Sequence, residues 1–409
     1  MSRRPLPGMA TALVFGLITG LGHGFFYIGV SAFLKPWTLE LDISRTQAAA
    51  AVAFGRLNAG WMTLLAGGLA DRLGPRQVAA MGCALAAIGF ALSAWCQEPW
   101  QLALAWGGLG GLGTSMAFTV VLDKALMRQV APAQHGRAIG TRFAAIAVSS
   151  FLSATATGLI VHQWSWRVAC LVWAVVIVAC LLAVLRLIPQ EAGPDAARSD
   201  TQQGLSLAEV WRTGEFRLIA LISALQAGVQ TGVVVHLAAM LTDVAVPNVH
   251  VAMLVGAMVL LSLPGRLLAG WCADRLAIAP LAAGVSLAIG LQALVLLWHG
   301  LAPSPVSAYL FPLLYGLAWG FPTPVLILMQ SRRFGTRHFG AIQGAILLVQ
   351  SAVSVLVPLG LGLCFDLSGQ YRWGLCAAAA LLLGAAALAW RLRRLPAGLR
   401  PAHAFPSLA

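Results

Sequence analysis

Twelve stretches of this chain are each long and apolar enough to cross a bilayer, and most of the connections between them are only a few residues long. They run at about 9–34, 46–69, 77–97, 100–122, 137–161, 166–187, 216–240, 249–272, 279–299, 305–329, 339–363 and 372–391. Roughly 20 apolar residues in a helix cover about 30 Å of hydrocarbon. An unpaired peptide group is too costly inside lipid, so a chain patterned this way must form a helical bundle. Charged residues supply only 10% of the 409 and apolar residues 59%, too little charge to coat a soluble protein of this size. The expected fold class is an all-α membrane protein with twelve transmembrane helices.

A short loop occurs twice. Segment 2 ends in Gly67-Gly68-Leu69-Ala70-Asp71-Arg72-Leu73-Gly74-Pro75-Arg76, and segment 8 in Gly270-Trp271-Cys272-Ala273-Asp274-Arg275. The same spacing six segments apart indicates a duplicated six-helix unit. The expected domains are an N-terminal bundle over 1–187, a central linker over 188–215 and a C-terminal bundle over 216–409. Pro189, Gly193 and Pro194 end segment 6, and Ser199 to Gly204 reads as flexible linker. Leu205 to Trp211 has helical spacing and predicts a short helix lying on the membrane face. Pro264, Pro312, Pro322, Pro324 and Pro358 predict kinks in segments 8, 10 and 11. Gly107, Gly108, Gly110, Gly111 and Gly113 allow close approach along segment 4.

The formal net charge of +13 is distributed as in a membrane protein and excludes nucleic acid as its cause. Of the 26 Lys and Arg residues, only Lys35, Arg45, Arg167 and Arg372 fall at one face, and only Arg56, Arg142 and Arg266 fall well inside segments. The rest share the face that carries both chain ends, which the positive-inside rule places in the cytoplasm. Arg391, Arg393 and Arg394 flank the last segment and attract anionic lipid. The seven Cys are scattered without metal-ligand spacing and read as small packing residues. Arg3-Arg4 precedes an apolar stretch with no clear cleavage site, so that stretch reads as segment 1. Short loops and many arginines suggest a bacterial inner (plasma) membrane.

With these features the chain resembles the major facilitator superfamily, whose cytoplasmic loop between helices 2 and 3 matches Gly67, Asp71, Arg72, Gly74 and Arg76. Other stretches are similar to its monocarboxylate transporter and oxalate/formate antiporter branch. They are Phe33-Leu34-Lys35-Pro36, Trp164-Ser165-Trp166-Arg167, Gly265-Arg266, Phe339-Gly340-Ala341-Ile342-Gln343-Gly344 and Asp366-Leu367-Ser368-Gly369-Gln370-Tyr371. The resemblance implies two bundles rocking around a central site, and a gating role for the loop. Asp71 can meet helix N-termini and Arg neighbours and latch one state. The second copy continues Leu276-Ala277-Ile278, without the later Gly and Arg, so the latch at Asp274 and Arg275 should be weaker. Two family features are missing. Ser262 stands where animal monocarboxylate carriers have Asp, and segment 11 has no Lys of the oxalate antiporter kind.

Charge within hydrocarbon costs about 3 kcal/mol on insertion scales, so an intramembrane Arg is a functional candidate. Arg266 lies roughly 12 Å up the helix from Asp274 at the rise of an α-helix, near mid-membrane. It matches the segment 8 arginine that binds substrate carboxylate in the resembling family, and a guanidinium offers a permanent charge and a two-pronged donor. Arg56 lies roughly 22 Å from Asp71, too deep to reach the cytoplasmic face, with no acid at similar depth. Arg142 is only about 9 Å from the start of segment 5, where snorkelling accounts for it. His23 and Tyr27 share one face of segment 1, Gln226 and Gln230 one face of segment 7, and Gln343 and Gln350 roughly one face of segment 11. None of the thirteen acids falls deep in a segment, which leaves His23 and His236 as the core groups able to titrate near neutral pH.

The expected function is secondary transport of a small organic anion, a monocarboxylate, by proton symport or anion exchange. Drug efflux of an apolar or cationic compound is the alternative; it calls for a core acid and a Gly-Pro kink in segment 5, where Gly140-Thr141-Arg142-Phe143 has no Pro. Uptake of nitrate or of a neutral metabolite is a lesser one, and a sensor on the same fold would carry an appended domain. An enzyme is not expected, because no phosphate loop, metal cluster or catalytic set is present. No cofactor or metal is expected. The anticipated contacts are a small anionic substrate and membrane lipid, with no nucleic acid, around a monomer.

Overall fold

The computed structural model describes residues 8–118, 120–130, 135–188, 207–334 and 339–394, and every regular element among them is helical. In the first half the spans are α1 Met9–Glu40, α2 Arg45–Leu73, α3 Pro75–Ser93, α4 Pro99–Asp123, α5 His135–Gln163 and α6 Trp166–Leu187. In the second they are α7 Gly214–Asp243, α8 Asn248–Cys272, α9 Ile278–Leu301, α10 Pro305–Phe334, α11 Phe339–Ser368 and α12 Arg372–Leu392. Among the described residues, 11 helices are long and apolar enough to cross a membrane. The twelfth span is α2, 29 residues long, whose apolar run is interrupted by Arg56 and Asn58. Short connections make successive spans antiparallel. The face where α1 begins and α12 ends is called the near face below, and the other the far face.

Local chemistry sets the span ends. Ser44 and Gln47 form a capping box at the start of α2, and Ser165 and Thr213 cap α6 and α7 through their side chains. Gly74 separates α2 from α3 at φ 86°, a left-handed conformation that requires glycine, and Pro75 then starts α3. This gives the Gly-Pro of the repeated loop a structural cause. Asp42 and Ala245, two further positions of positive φ, follow α1 and α7 and are separated by as many residues as Asp71 and Asp274. One offset therefore relates both pairs of corners, as duplication requires.

Within the halves α1 packs along α5, α3 along α4 and α6, α7 along α11, and α9 along α12. Between the halves α2 packs along α11 and α5 along α8. These seams are tight at the far face. A Cβ on Gly362 of α11 would stand 2.8 Å from Thr46 Cα, and one on Gly158 of α5 would stand 2.6 Å from Ala252 Cβ of α8. Toward the near face the α5–α8 seam parts. The Asn248–Leu260 part of α8 follows α5, whereas Ser262–Arg275 packs chiefly on α10. Gly140 and Gly270 have no neighbouring atom within 4 Å of a Cβ position. The structure is thus closed on its far face.

The prolines act unequally. α8 breaks at Leu261 before Pro264, and α10 breaks at Gly320-Phe321 before Pro322, whereas helix runs on through Pro312 and Pro358. α4 holds a π-helical segment, Ala103–Gly110, where Gly107 meets the Ala51 carbonyl and Gly55 of α2. The apolar block of segment 4 ends at 122, but helix resumes as Val120–Gln129, which places Asp123 inside a helix, contrary to the sequence expectation. The short surface helix is present as Leu207–Arg212, with Val210 buried. The remainder of the linker lies outside the described residues.

Candidate functional site

The chain leaves α-geometry after Tyr27 and continues as a 3-10 turn, Gly29–Phe33. That break frees peptide oxygens, and the Tyr27 carbonyl accepts a hydrogen bond from Arg56 Nη2 at 3.3 Å. The Arg56 Cζ lies 3.9 Å over the Tyr27 ring, a cation–π contact, while its Nε is buried without a partner. Tyr27 Oη is 3.3 Å from Ser115 Oγ on α4, and its ring centroid is 4.0 Å from that of His23. Phe25 and Phe26 anchor this turn of α1 in an aromatic core. Phe25 meets Trp173 and Phe90 with centroids 5.1 and 4.8 Å away, and Phe26 stacks on Trp106 at 5.5 Å.

Arg266 projects from the turn after the break in α8. The preceding Gly265 packs on Gly320 of α10, a Cβ there standing 3.0 Å from Gly320 Cα. Gly55, before Arg56, likewise packs on Gly107 of α4, at 3.2 Å from its Cα. Each arginine thus follows a glycine that fixes its helix against a neighbour. Arg266 is partly exposed, and no carboxylate pairs with Arg56 or Arg266 among the described residues. Arg56 reaches α1 through Tyr27, whose ring adjoins His23, and Arg142 reaches it through Thr19, one turn away. Groups from α1, α2 and α5 therefore gather at one level of the first half, while Arg266 stands on α8 of the second.

Arg142 behaves differently from the sequence expectation. It does not snorkel alone: it is 3% exposed, and its Nη1 lies 2.6 Å from Asp123 Oδ1 on α4. Its Nη2 donates to Thr19 Oγ1 at 3.1 Å and to the Phe118 carbonyl at 3.4 Å. The acid of this pair is the more exposed partner.

The glutamines carry unsatisfied amides. Gln226 Nε2, Gln230 Nε2 and Gln343 Oε1 are buried without partners, and Gln350 is half-buried. His236 is not at mid-depth. It is fully buried toward the far end of α7, with Nδ1 2.9 Å from Tyr371 Oη and Nε2 3.0 Å from the Pro358 carbonyl. Of the gating loops, Gly74 takes the left-handed conformation above and Arg76 lies in the first turn of α3. Arg275 is exposed and stacks over Trp271 at 4.6 Å. Gly67 falls within α2, but the surroundings of Gly67 and the side chains of Asp71, Arg72 and Asp274 lie outside the described residues.

The sequence expectation placed Lys35 and Arg45 on loops without partners, read Asp366 only within a motif and did not single out Asp243. In the structure they form a far-face cluster that joins the halves. On the near face, Arg142–Asp123, Arg333–Glu215 and the bond from Arg332 to the Leu276 carbonyl each stay within one half. The available signal was positional: two bases flank the α1–α2 corner, and an acid ends each of α7 and α11.

Comparison with known proteins agrees with this architecture. Residues 15–358 match the model of the Major Facilitator Superfamily. Monocarboxylate transporter 13 of Rattus norvegicus is 27% identical over 388 residues, covering 91% of this chain and 84% of the relative. Monocarboxylate transporter 11 of Homo sapiens is 26% identical over 386 residues, covering 91% and 78%. An uncharacterised transporter of the superfamily from Bacillus subtilis (strain 168) is 22% identical, covering 88% and 89%. Among solved structures, a D-xylose-proton symporter superposes with a TM-score of 0.78 at 15% identity, covering 95% of this chain and 97% of that one. A bacterial homologue of the human lysosomal transporter Spinster, inward-facing and occupied, gives 0.75 at 14%, covering 96% and 98%. This multi-pass membrane protein belongs to the major facilitator superfamily of transporters.

Proposed function

We propose that this transporter carries a small organic anion, a monocarboxylate, by alternating access, with the near face in the cytoplasm of a bacterium and a single chain as the working unit. The observation that carries this reading is the placement of Arg56 and Arg266. Each half carries one such guanidinium within a membrane span, and no acid among the described residues pairs with either. Leaving such charge in a membrane interior is costly unless an anion visits it. A carboxylate fits the two-pronged donor of Arg266, and its tail would meet the open amides of Gln226, Gln230 and Gln343. The relatives named as monocarboxylate transporters support the same cargo class. Because the cations come from both halves, a bound anion would draw the halves together and favour their exchange of access.

Two couplings belong to this reading: proton symport, with His23 or the substrate as the proton carrier, or anion exchange. Efflux of a cationic drug is less suited, since Asp123 is already committed to Arg142. The test is uptake into vesicles holding the purified protein. Arg266→Gln and Arg56→Gln should each abolish or strongly reduce uptake of the carboxylates that the unaltered protein accepts. Undiminished uptake in both variants would refute the site.

A further inference from the structure

We propose that His236 is a proton-sensitive positioning residue of the far-face gate, acting on Arg45 through Tyr371. The inference is independent of the cargo, since any solute carried by this fold would meet the same gate.

The gate joins the halves through two carboxylates. Asp243, at the end of α7, takes Lys35 Nζ of α1 at 2.6 Å and Arg45 Nη1 and Nη2 of α2 at 2.7 and 3.2 Å. Asp366, near the end of α11, accepts from the backbone N–H of Arg45 at 3.1 Å and of Thr46 at 3.0 Å, and from the Thr46 hydroxyl at 2.5 Å. It thereby caps the N-terminus of α2 from the opposite half. Arg45 is further seated over the Phe365 ring, its Cζ 3.5 Å from the centroid, and its Nη1 donates to Tyr371 Oη at 2.6 Å.

From Tyr371 the hydrogen bonds have one consistent direction. The Pro358 carbonyl can only accept, so His236 Nε2 carries the hydrogen across 3.0 Å. In a neutral imidazole Nδ1 is then a bare acceptor, and it takes the Tyr371 hydroxyl hydrogen across 2.9 Å. The Tyr371 oxygen is thereby left to accept from Arg45. The chain ends at Pro358, one turn before Gly362, where α11 touches the backbone of Arg45 and Thr46.

A proton on His236 reverses one link. Nδ1 becomes a donor, the Tyr371 hydrogen must turn away, and one phenolic oxygen faces two cationic donors, His236 and Arg45. The charged groups that face the ring are Arg45 from α2 and Asp366 on α11; Lys35 of α1 and Asp243 of α7 lie one contact further, Asp243 pairing with both Lys35 and Arg45. Both acids are already engaged by the α1–α2 corner, so a charged His236 competes for them with Arg45. Protonation therefore loosens the hold of Arg45, and the far gate opens more readily at low pH.

The test uses the full chain in lipid nanodiscs, with spin labels at Leu39→Cys and Leu367→Cys in a background lacking native cysteines. Both positions are exposed at the far face, one in each half. In the otherwise unaltered protein the long-distance population should grow as pH falls from about 7 to about 4, where an imidazole buried away from water takes up its proton. His236→Gln keeps a donor for Pro358 and an acceptor for Tyr371 but gains no charge, so its distances should stay short at every pH. Tyr371→Phe cuts the relay and should also remove the pH response. A His236→Gln protein that follows pH as its parent does, or a parent with no response, overturns the proposal.

Discussion

Replacing Gly362 by Val should force the far face open. In the present state a side chain at 362 would begin 2.8 Å from Thr46 Cα, 2.9 Å from Thr46 N and 3.1 Å from the Arg45 carbonyl carbon. These are backbone atoms of a helix start that Asp366 also holds, so no flexible side chain can give way. Overpacking of this kind costs about 1–3 kcal/mol. The cost falls on the closed state alone, because α2 and α11 separate there when the far face opens. A bias of that size moves the equilibrium roughly 5- to 150-fold. A cysteine placed at Thr242, which lines the cavity between the halves on the far side, reports the change through its alkylation rate, read peptide by peptide by mass spectrometry. Gly360→Val is the control: it lies on the same helix, and no atom is within 4 Å of its Cβ position. The rate should rise at least severalfold for Gly362→Val and stay unchanged for Gly360→Val. A folded Gly362→Val protein with the parental rate would refute the closed seam.

Three further outcomes are expected. Asp243→Asn removes the shared partner of Lys35 and Arg45; the pair is partly exposed and worth up to about 1 kcal/mol, so the Leu39–Leu367 distance distribution should shift severalfold toward the open form. Gly320→Ala would press a methyl group against the Ser262 carbonyl at the α8–α10 crossing, and should lower thermal stability by about 1–3 kcal/mol while weakening anion binding through Arg266. Arg266→Lys keeps the charge and loses the two-pronged donor, so its apparent affinity should fall by roughly tenfold, about 1.4 kcal/mol, and less than for Arg266→Gln in a binding titration.

The parts of this molecule legible in its sequence are those governed by periodic or metric rules. Apolar blocks of bilayer length marked the spans, and the helix rise placed Arg56 and Arg266 at depth from the repeated Asp-Arg loop. Gly55 and Gly265, each preceding an arginine, were visible, although their contacts with Gly107 and Gly320 were not. Hydropathy marks where lipid ends and not where helix ends, which is why Asp123 fell outside segment 4 and its pairing with Arg142 was missed. The π-helical turn at Ala103–Gly110 has no pattern that separates it from a glycine-rich α-helix. The far gate pairs residues 198 and 321 positions apart, beyond any local signal. His236 could have been assigned better: it lies only about 10 Å from the end of α7 by the helix rise, nearer the far face than the centre.

The central claim is that Arg56 and Arg266 form an anion site, and ligand-dependent thermal stability tests it most directly. A bound carboxylate stabilises the folded transporter by RT ln(1 + [L]/Kd), so the melting temperature of the purified protein should climb with concentration for at least one monocarboxylate in a panel. Arg266→Gln and Arg56→Gln should lose that climb while melting normally without ligand. The same concentration-dependent stabilisation in both variants, or stabilisation by cationic compounds alone, would contradict the account.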